Sequence, residues 1–260
     1  MSATLEKARL SYGNAVGAEW LKLTTMRGMW WVALASVALS LVTVGTSSHA
    51  PPEAGAELDW TLSTIASAIV TAWVIVSVYA ALQATGEWSS GMYRVTFAVV
   101  PKRNLWLAAK ATVMGIYAGL VAIVVTAAST AIMLFRYPDE SVIDLAEVRT
   151  WETFIGVPAV CVMTAIMAVG IGALVRSSGI AVVVVVGLLV LLPFAGLFGL
   201  DWLAEITAYL PTGAGDSMVQ SGAFGATSKD LGVWLGSAVM LAWSVGACLL
   251  AAIAMKRRDA

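Results

Sequence analysis

The chain has 260 residues, of which 60% are apolar and only 12% charged, with a formal net charge of −1 at neutral pH. The mean hydropathy of +0.86 excludes an ordinary water-soluble domain, because such domains carry about 25% charged residues. The near-neutral balance also provides no strongly basic surface for nucleic acid. We therefore expect the chain to lie in a lipid bilayer.

Residues 1–29 are expected to form a cytoplasmic N-terminus that contains one amphipathic helix over 12–28. Apolar and charged side chains recur there at helical spacing on different faces, which is typical of a helix that lies along a membrane surface. The apolar set is Val16, Trp20 and Leu23, and the charged set is Glu19, Lys22 and Arg27. The alternative is an ordinary juxtamembrane segment.

Residues 30–260 are expected to form one transmembrane domain with six helices. Six segments contain no Asp, Glu, Lys, Arg or His, and each approaches or exceeds the roughly 20 helical residues that cross a hydrocarbon core of about 30 Å. The predicted spans are 30–47, 61–84, 111–135, 153–175, 179–200 and 231–255. The predicted fold class is therefore an all-α membrane protein.

The outer connection over 201–230 is too apolar for a solvated loop and too interrupted to span a membrane. Two short helices that flank 211–215, dip into the outer leaflet and return would fit its composition. Broken backbone is tolerated at that depth only where protein or a wet cavity covers it. The segment is therefore a candidate lid or gate lining, with a packed surface hairpin as the alternative.

The basic residues indicate the orientation. If the N-terminus is cytoplasmic, every Lys and Arg except Arg136, Arg149 and Lys229 lies on the inner side. This distribution follows the positive-inside rule. Both termini are therefore expected in the cytoplasm.

The inventory of reactive side chains argues against an enzyme. His49 is the only histidine, no carboxylate pair lies within the predicted spans, and no P-loop sequence is present. No residue is therefore predicted to be catalytic, to bind a metal or to hold a nucleotide. Cys161 and Cys248 fall inside predicted helices and are expected to be small core residues. Because the spans also lack an ionisable relay, uphill transport would need energy from another chain.

The cytoplasmic connection over 85–110 carries the most specific pattern. It contains Gly86, Glu87, Gly91 and Arg94 in the spacing GE-x-x-x-G-x-x-R, and a Pro-Lys-Arg sequence follows. With the amphipathic N-terminal helix and the interrupted outer segment, this pattern resembles the membrane permease of ABC-2 type (type V) ABC exporters. The resemblance covers essentially the whole chain and is to the small permeases of actinobacterial (high-GC Gram-positive) exporters.

The resemblance implies an elbow helix at the N-terminus, a coupling helix within 85–110 and a re-entrant outer hairpin within 201–230. The implied ATPase-coupling residues are Glu87, Trp88, Gly91, Met92, Arg94, Arg176 and Ser177; the elbow residues are Glu19, Trp20, Lys22 and Arg27; the outer-gate residues are Pro211, Thr212, Gly213 and Asp216. Glu87 and Arg94, seven residues apart, are expected to be exposed on nearly one helical face. The alternative is that the basic residues only fix topology and contact anionic lipid.

The resemblance also implies partners. Six spans are half of the family's twelve-span pathway, so we expect a second permease, identical or related, and two ATPase subunits that bind ATP and magnesium, with no cofactor in this chain. A path lined by apolar and small side chains, without buried charge, would suit a hydrophobic or amphipathic cargo such as a drug, a peptide antibiotic or a lipid-like molecule. The location would be a bacterial plasma membrane. The rival interpretation is a scaffold or sensor that anchors cytoplasmic partners without transporting anything.

Overall fold

The structure is a computed structural model that describes residues 11–47, 57–99, 102–137, 143–194, 201–220 and 230–258. Over these ranges the backbone forms helices joined by short turns, with no strand. The helices are α1 Tyr12–Thr25, α2 Arg27–Ser47, α3 Glu57–Ser89, α4 Tyr93–Val99, α5 Arg103–Arg136, α6 Val148–Val175, α7 Ser178–Val186, α8 Asp201–Ala208, α9 Pro211–Val219 and α10 Gly232–Arg258, and a π-helix over Gly187–Leu191 continues α7. The predicted all-α fold class is confirmed for the described residues.

Five of the described helices are long and apolar enough to cross a membrane, namely α2, α3, α5, α6 and α10. They coincide with five of the six predicted spans. Some of them are longer than the predicted spans. Helix α3 extends beyond residue 84 and α5 begins before residue 111, so both helices take in part of the predicted connection over 85–110. A membrane protein with several apolar helices is therefore what the structure shows, and a six-span topology stays a prediction.

The segment predicted as a span over 179–200 is shorter than expected. Nine residues of α-helix and five of π-helix extend for only about 20 Å, and residues 195–200 lie outside the described part. Pro193 explains the end of the helix, because proline has no N–H to donate and its ring collides with the carbonyl four residues earlier. That carbonyl belongs to Leu189.

Helix α6 lies at the centre of the bundle, where α3, α5 and α10 all pack against it. Glycines permit this arrangement, because lipid provides no hydrophobic drive between helices and close backbone approach must replace it. A Cβ atom on Gly172 would lie 2.6 Å from the carbonyl oxygen of Ala81 in α3, and one on Gly170 would lie 2.7 Å from the backbone of Ala247 in α10. Two glycines within one turn of α6 thus carry close contacts to two different helices.

The predicted amphipathic helix over 12–28 is interrupted near its end. Helix α1 ends at Thr25, and Met26 adopts an extended conformation with φ −85° and ψ 122°. Arg27 therefore begins the first long helix, α2, instead of projecting from the amphipathic one. The predicted helix is therefore divided by a single residue, Met26, whose backbone is not helical.

Helix α1 crosses α5 and does not run alongside it. The hydroxyl of Tyr12 hydrogen-bonds the hydroxyl of Thr112 at 2.5 Å, and Glu19, two turns later, contacts Lys110 at 2.8 Å. Two turns of α1 therefore meet less than one turn of α5. This crossing is the geometry expected of a surface helix beside a spanning one.

Charged side chains gather at the two opposite ends of the bundle. At one end the guanidinium of Arg149 in α6 donates to Asp59 at 2.6 Å and to the carbonyl of Gln220 at 3.3 Å, which joins α3, α6 and the end of α9. At the other end lie Glu87 and Lys110. Asp59 and Glu87 stand near the two ends of α3, about 40 Å apart along its axis.

Candidate functional site

The turn between α3 and α4 contains the glycine that the sequence pattern singled out. Gly91 has a φ of +72°, a conformation that glycine adopts without the steric cost that a Cβ atom brings. The N–H of Gly91 donates to the carbonyl of Trp88 at 3.3 Å, and the N–H of Arg94 donates to the carbonyl of Gly91 at 3.2 Å. The turn ends α3 and starts the seven-residue helix α4 in a new direction.

A row of stacked cations and rings holds α4 in place. The guanidinium of Arg176 lies 4.0 Å from the centre of the Trp88 ring, and Trp88 stacks on Tyr93 with 4.6 Å between ring centres. The guanidinium of Arg94 lies 5.8 Å from the Tyr93 ring and donates to its hydroxyl at 3.3 Å. A cation–π contact such as that of the half-buried Arg176 on Trp88 contributes about 0.5–2 kcal/mol. The row joins the end of α3, the start of α4 and the α6–α7 turn.

Three of the predicted coupling residues, Trp88, Arg94 and Arg176, therefore meet in this row. Arg176 stands at the end of α6 with a φ of 58°, a left-handed conformation that is uncommon for a residue other than glycine. Its position beyond the helix end lets its side chain reach back over Trp88. The sequence reasoning named these residues separately and did not foresee their direct contact.

Four charged side chains form a second group at the same end of the bundle. Lys110 of α5 contacts Glu87 of α3 at 2.7 Å and Glu19 of α1 at 2.8 Å. Lys22 of α1 contacts Glu19 at 2.7 Å and Glu87 at 3.4 Å. The two positive and two negative charges balance, which is the condition under which charges are tolerated away from water.

Glu19, Lys22, Glu87 and Lys110 are called the charge cluster below. Its four members differ in their exposure to solvent. Glu87, Lys110 and Glu19 are 4%, 5% and 6% exposed, whereas the Lys22 side chain is 37% exposed. Lys110 also donates to the carbonyl of Gln83 at 3.3 Å. Burial lowers the pKa of Lys22, but its hydrogen bond to Glu19 and the charges of both carboxylates outweigh that effect and raise the pKa above its ordinary value.

The expectation that Glu87 and Arg94 share one exposed helical face is wrong. Glu87 is buried in α3, Arg94 is exposed on α4, and the Gly91 turn separates the two helices. The error comes from treating 85–110 as a connection, whereas α3 extends to Ser89 and α5 begins at Arg103. The expectation of a transport path without buried charge stays a prediction, and the buried charges of Glu87 and Lys110 lie outside the predicted spans.

The elbow residues are also arranged differently from the prediction. Glu19 is buried together with Leu23, Trp20 is half-buried against the core, and Lys22 lies at the margin. The expected division into an apolar buried face and a charged outer face therefore fails at Glu19. The sequence reasoning missed its partner Lys110, although a lysine flanked by Ala109 and Ala111 within a helical apolar pattern was a usable signal.

The remaining coupling residues stay at the surface or in the turn. Met92 is exposed in the α3–α4 turn. Ser177 precedes α7, where its carbonyl accepts the N–H of Ala181 at 2.9 Å. The neighbouring Ser178 hydroxyl meets the Thr85 hydroxyl at 2.9 Å, which ties the start of α7 to α3.

The outer segment does contain two short helices, but the break between them differs from the prediction. Pro211 occupies the first turn of α9, where its missing N–H costs nothing, so the break falls at Tyr209 and Leu210. The backbone of Thr207 and Ala208 approaches Gly213 so closely that any side chain there would collide. The two helices are thereby folded tightly on each other.

Helix α9 is covered by protein along its length. Eight of its nine residues are buried, with α6, α10 and the π-helix packed around them; Pro211, Thr212 and Gly213 are among the eight, and Asp216 is half-buried. In α10 a Cβ atom on Gly236 would lie 2.7 Å from the carbonyl of Ala214. Cover by protein is the condition under which a broken helix is tolerated at membrane depth; that depth and the role of these residues as a gate stay predictions.

Thr212 hydrogen-bonds the π-helix that precedes Pro193. Its hydroxyl donates at 3.1 Å to the carbonyl of Leu189, which lies four residues before Pro193. We expect Thr212→Val to lower the stability of the purified protein by about 1–2 kcal/mol, because a buried acceptor loses its donor. Thermal denaturation in detergent measures the effect. Thr43→Val is the control, since Thr43 donates only to Leu39 within its own helix; equal behaviour of the two variants would contradict this role for Thr212.

The described residues contain no group of three or more His, Cys, Asp or Glu side chains that could hold a metal ion. Cys161 and Cys248 are free thiols, buried and half-buried respectively; Cys161 belongs to the hydrophobic core, as predicted, and Cys248 packs against it. Among known proteins, no family model matches the chain and no curated protein matches it.

Proposed function

We propose that this chain is the membrane permease subunit of an ATP-driven exporter of the ABC-2 type. A second permease, identical or related, and two cytoplasmic ATPase subunits would complete the transporter in a bacterial plasma membrane. The observation that carries the proposal is the short, exposed helix α4, which the stacked row of Arg176, Trp88, Tyr93 and Arg94 holds against the helix bundle.

The surface of α4 suits a partner protein. Met92, Arg94 and Val95 are exposed there, which combines apolar area with a basic side chain capable of directional contacts. A helix of seven residues is too short to persist alone in water. Its attachment to α3 and to the α6–α7 turn therefore supports a role in receiving force from outside the membrane and passing it to two helices.

The distribution of charge supports an external energy source. In the five long helices the charged residues lie towards the helix ends, and the middles carry none. Proton-driven transporters use ionisable groups within their spans. A separate ATPase, as in the resembling family, would supply the energy, and this chain would perform no bond chemistry.

An apolar groove supports a hydrophobic or amphipathic cargo. It has a volume of about 740 Å³ and lies between α6, α7 and α10, with Leu174, Val184, Leu188 and Trp243 in its walls. Ligand sites for drug-sized molecules have about 300–1,000 Å³ and mainly apolar walls. Tyr209 of the outer segment also lines the groove, which would place the candidate gate beside the cargo.

Purification of the chain from its own host in mild detergent tests the proposal. We expect a stoichiometric soluble protein with a Walker A sequence to accompany it. Arg94→Glu is expected to reduce the amount of this partner about tenfold, because it replaces an attractive charge at the interface by a repulsive one.

Arg136→Glu is the matched control, since Arg136 is exposed at the opposite end of α5. It should leave the amount of co-purified ATPase unchanged. Recovery of the chain alone, or only with partners that lack an ATPase sequence, would contradict the exporter and favour the scaffold or sensor.

A further inference from the structure

We propose that the charge cluster is a releasable clasp that holds α1 against α3 and α5, and that α1 swings outward about Met26 when the clasp opens. The inference rests on contacts within this chain and is independent of the proposed transport function. Three features distinguish a clasp from a permanent packing contact: the composition of the buried face of α1, the hinge that follows α1, and the space beside the charges.

The buried face of α1 is small and half of it is charged. Glu19 and Leu23 are its only buried side chains, while Val16 and Trp20 pack only partly against the core. Besides this packing and the Tyr12–Thr112 hydrogen bond, α1 is attached to the bundle by Glu19 and Lys22, which contact side chains of α3 and α5. Ion pairs, unlike a large apolar interface, can exchange partners with water when one member is accessible.

Met26 provides the hinge. Its extended backbone interrupts the helix, and only single hydrogen bonds cross it, from its N–H to the carbonyl of Leu23 and from Met29 to its carbonyl, each at 3.2 Å. Rotation at an extended residue between two helices changes their angle without breaking either one. α1 can therefore leave the bundle while α2 stays in place.

A cavity of about 290 Å³ lies directly beside the clasp. All four charged residues line it, together with Leu23 and Gln83. Well-packed interiors contain few voids larger than a water molecule, so this volume gives the charged side chains room to rearrange. Lys22, at the exposed margin of the cavity, is the member that water reaches first.

The clasp is connected to α4 through adjacent residues. Glu87 precedes Trp88, and Trp88 stacks on Tyr93 of α4. A displacement of α4 would therefore move the carboxylate that both lysines contact. The clasp thus connects α4 to α1. A partner that moves α4 would therefore also influence the position of α1.

Thiol labelling of the purified full-length protein in detergent tests the clasp. Leu23→Cys places a reporter on the buried face of α1, in a background where Cys248→Ala removes the half-buried thiol. With the clasp closed, a polar maleimide should react slowly. Glu19→Ala is expected to increase the labelling rate about tenfold or more, because labelling follows the population of the locally open state. Adding Lys22→Ala should increase it further.

Three controls separate release of α1 from unfolding. Cys161 is buried in α6 and should stay unreactive in every variant, because Glu19→Ala leaves the Glu87–Lys110 pair between α3 and α5 intact. Leu21→Cys lies on the exposed face of α1 and should react rapidly throughout. Lys102→Gln, at an exposed lysine of the same end, should leave labelling at position 23 unchanged.

Either of two results overturns the clasp. A labelling rate at position 23 that stays within about twofold after Glu19→Ala would show that the charges do not hold α1. A parallel rise in the labelling of Cys161 would show that the charges stabilise the whole bundle and not a releasable helix. Neither result depends on whether an ATPase binds the chain.

Discussion

Replacement of Lys110 by alanine is expected to cause the largest loss of stability of any single substitution considered for this protein. Lys110 contacts both buried carboxylates of the charge cluster, Glu19 and Glu87. Removal of one partner from a buried ion pair typically costs about 3–5 kcal/mol, because the other charge stays buried without compensation. Lys22 still contacts both carboxylates, so we expect about 3 kcal/mol, the lower end of that range.

Thermal denaturation of the detergent-solubilised protein would measure this effect. A loss of about 3 kcal/mol corresponds to a fall in Tm of roughly 6–12 °C for a chain of this size. Lys102→Ala is the matched control, because Lys102 is exposed at the same end of the bundle, and it should change stability by no more than about 0.5 kcal/mol.

A compensating variant separates the role of charge from that of packing. Lys110→Met combined with Glu87→Gln removes one charge of each sign and leaves Glu19 paired with Lys22. Because replacement of a buried ion pair by neutral groups of similar volume is often tolerated, the double variant should be clearly more stable than Lys110→Ala. If it is equally unstable, the cluster contributes through shape and not through charge balance.

The charge cluster also marks the boundary of what the sequence could predict. Five long helices follow from apolar length alone, since each one corresponds to a segment without charged residues. The cluster does not, because Glu19, Glu87 and Lys110 belong to three helices far apart in the chain. Nothing in the spacing of residues along one helix reveals a contact between helices that only the packed bundle creates.

Local signals were nevertheless present at two of the places where element boundaries were wrong. Pro193 stands within the span predicted over 179–200 and, by its missing N–H, indicated that the helix ends early. Gly91, with Ser89 and Ser90 before it, indicated that α3 continues through Glu87 and stops there. The break at Gly91 therefore predicts that Glu87 lies inside a helix of the bundle, where a charged side chain can be buried.

The sequence predicted most residues of the candidate site but not the contacts between them. Trp88, Gly91, Arg94 and Arg176 were all named from the sequence, and the structure places them around one turn. Tyr93 was missed, although it joins Trp88 to Arg94. An aromatic residue between a glycine turn and an arginine has no periodicity of its own, so only the stacked geometry reveals its part.

The second large effect is expected where helix backbones meet most closely, at Gly172 in α6. A Cβ atom there would lie 2.6 Å from the carbonyl oxygen of Ala81, so Gly172→Ala must push α3 and α6 apart. Overpacking of this kind costs about 1–3 kcal/mol. The gain of about 1 kcal/mol in helix propensity from glycine to alanine acts in the opposite direction, so a net loss identifies the steric cause.

Gly246→Ala is the control that isolates this contact. Gly246 lies in the interior of α10 with no atom within 4 Å of the added Cβ, so the variant should be as stable as the natural protein or up to about 1 kcal/mol more stable. Opposite shifts of Tm in the two variants would establish that close packing around α6 sets the stability of the bundle. If Gly172→Ala also stabilises the protein, α3 and α6 can separate freely, and the central position of α6 would carry no such constraint.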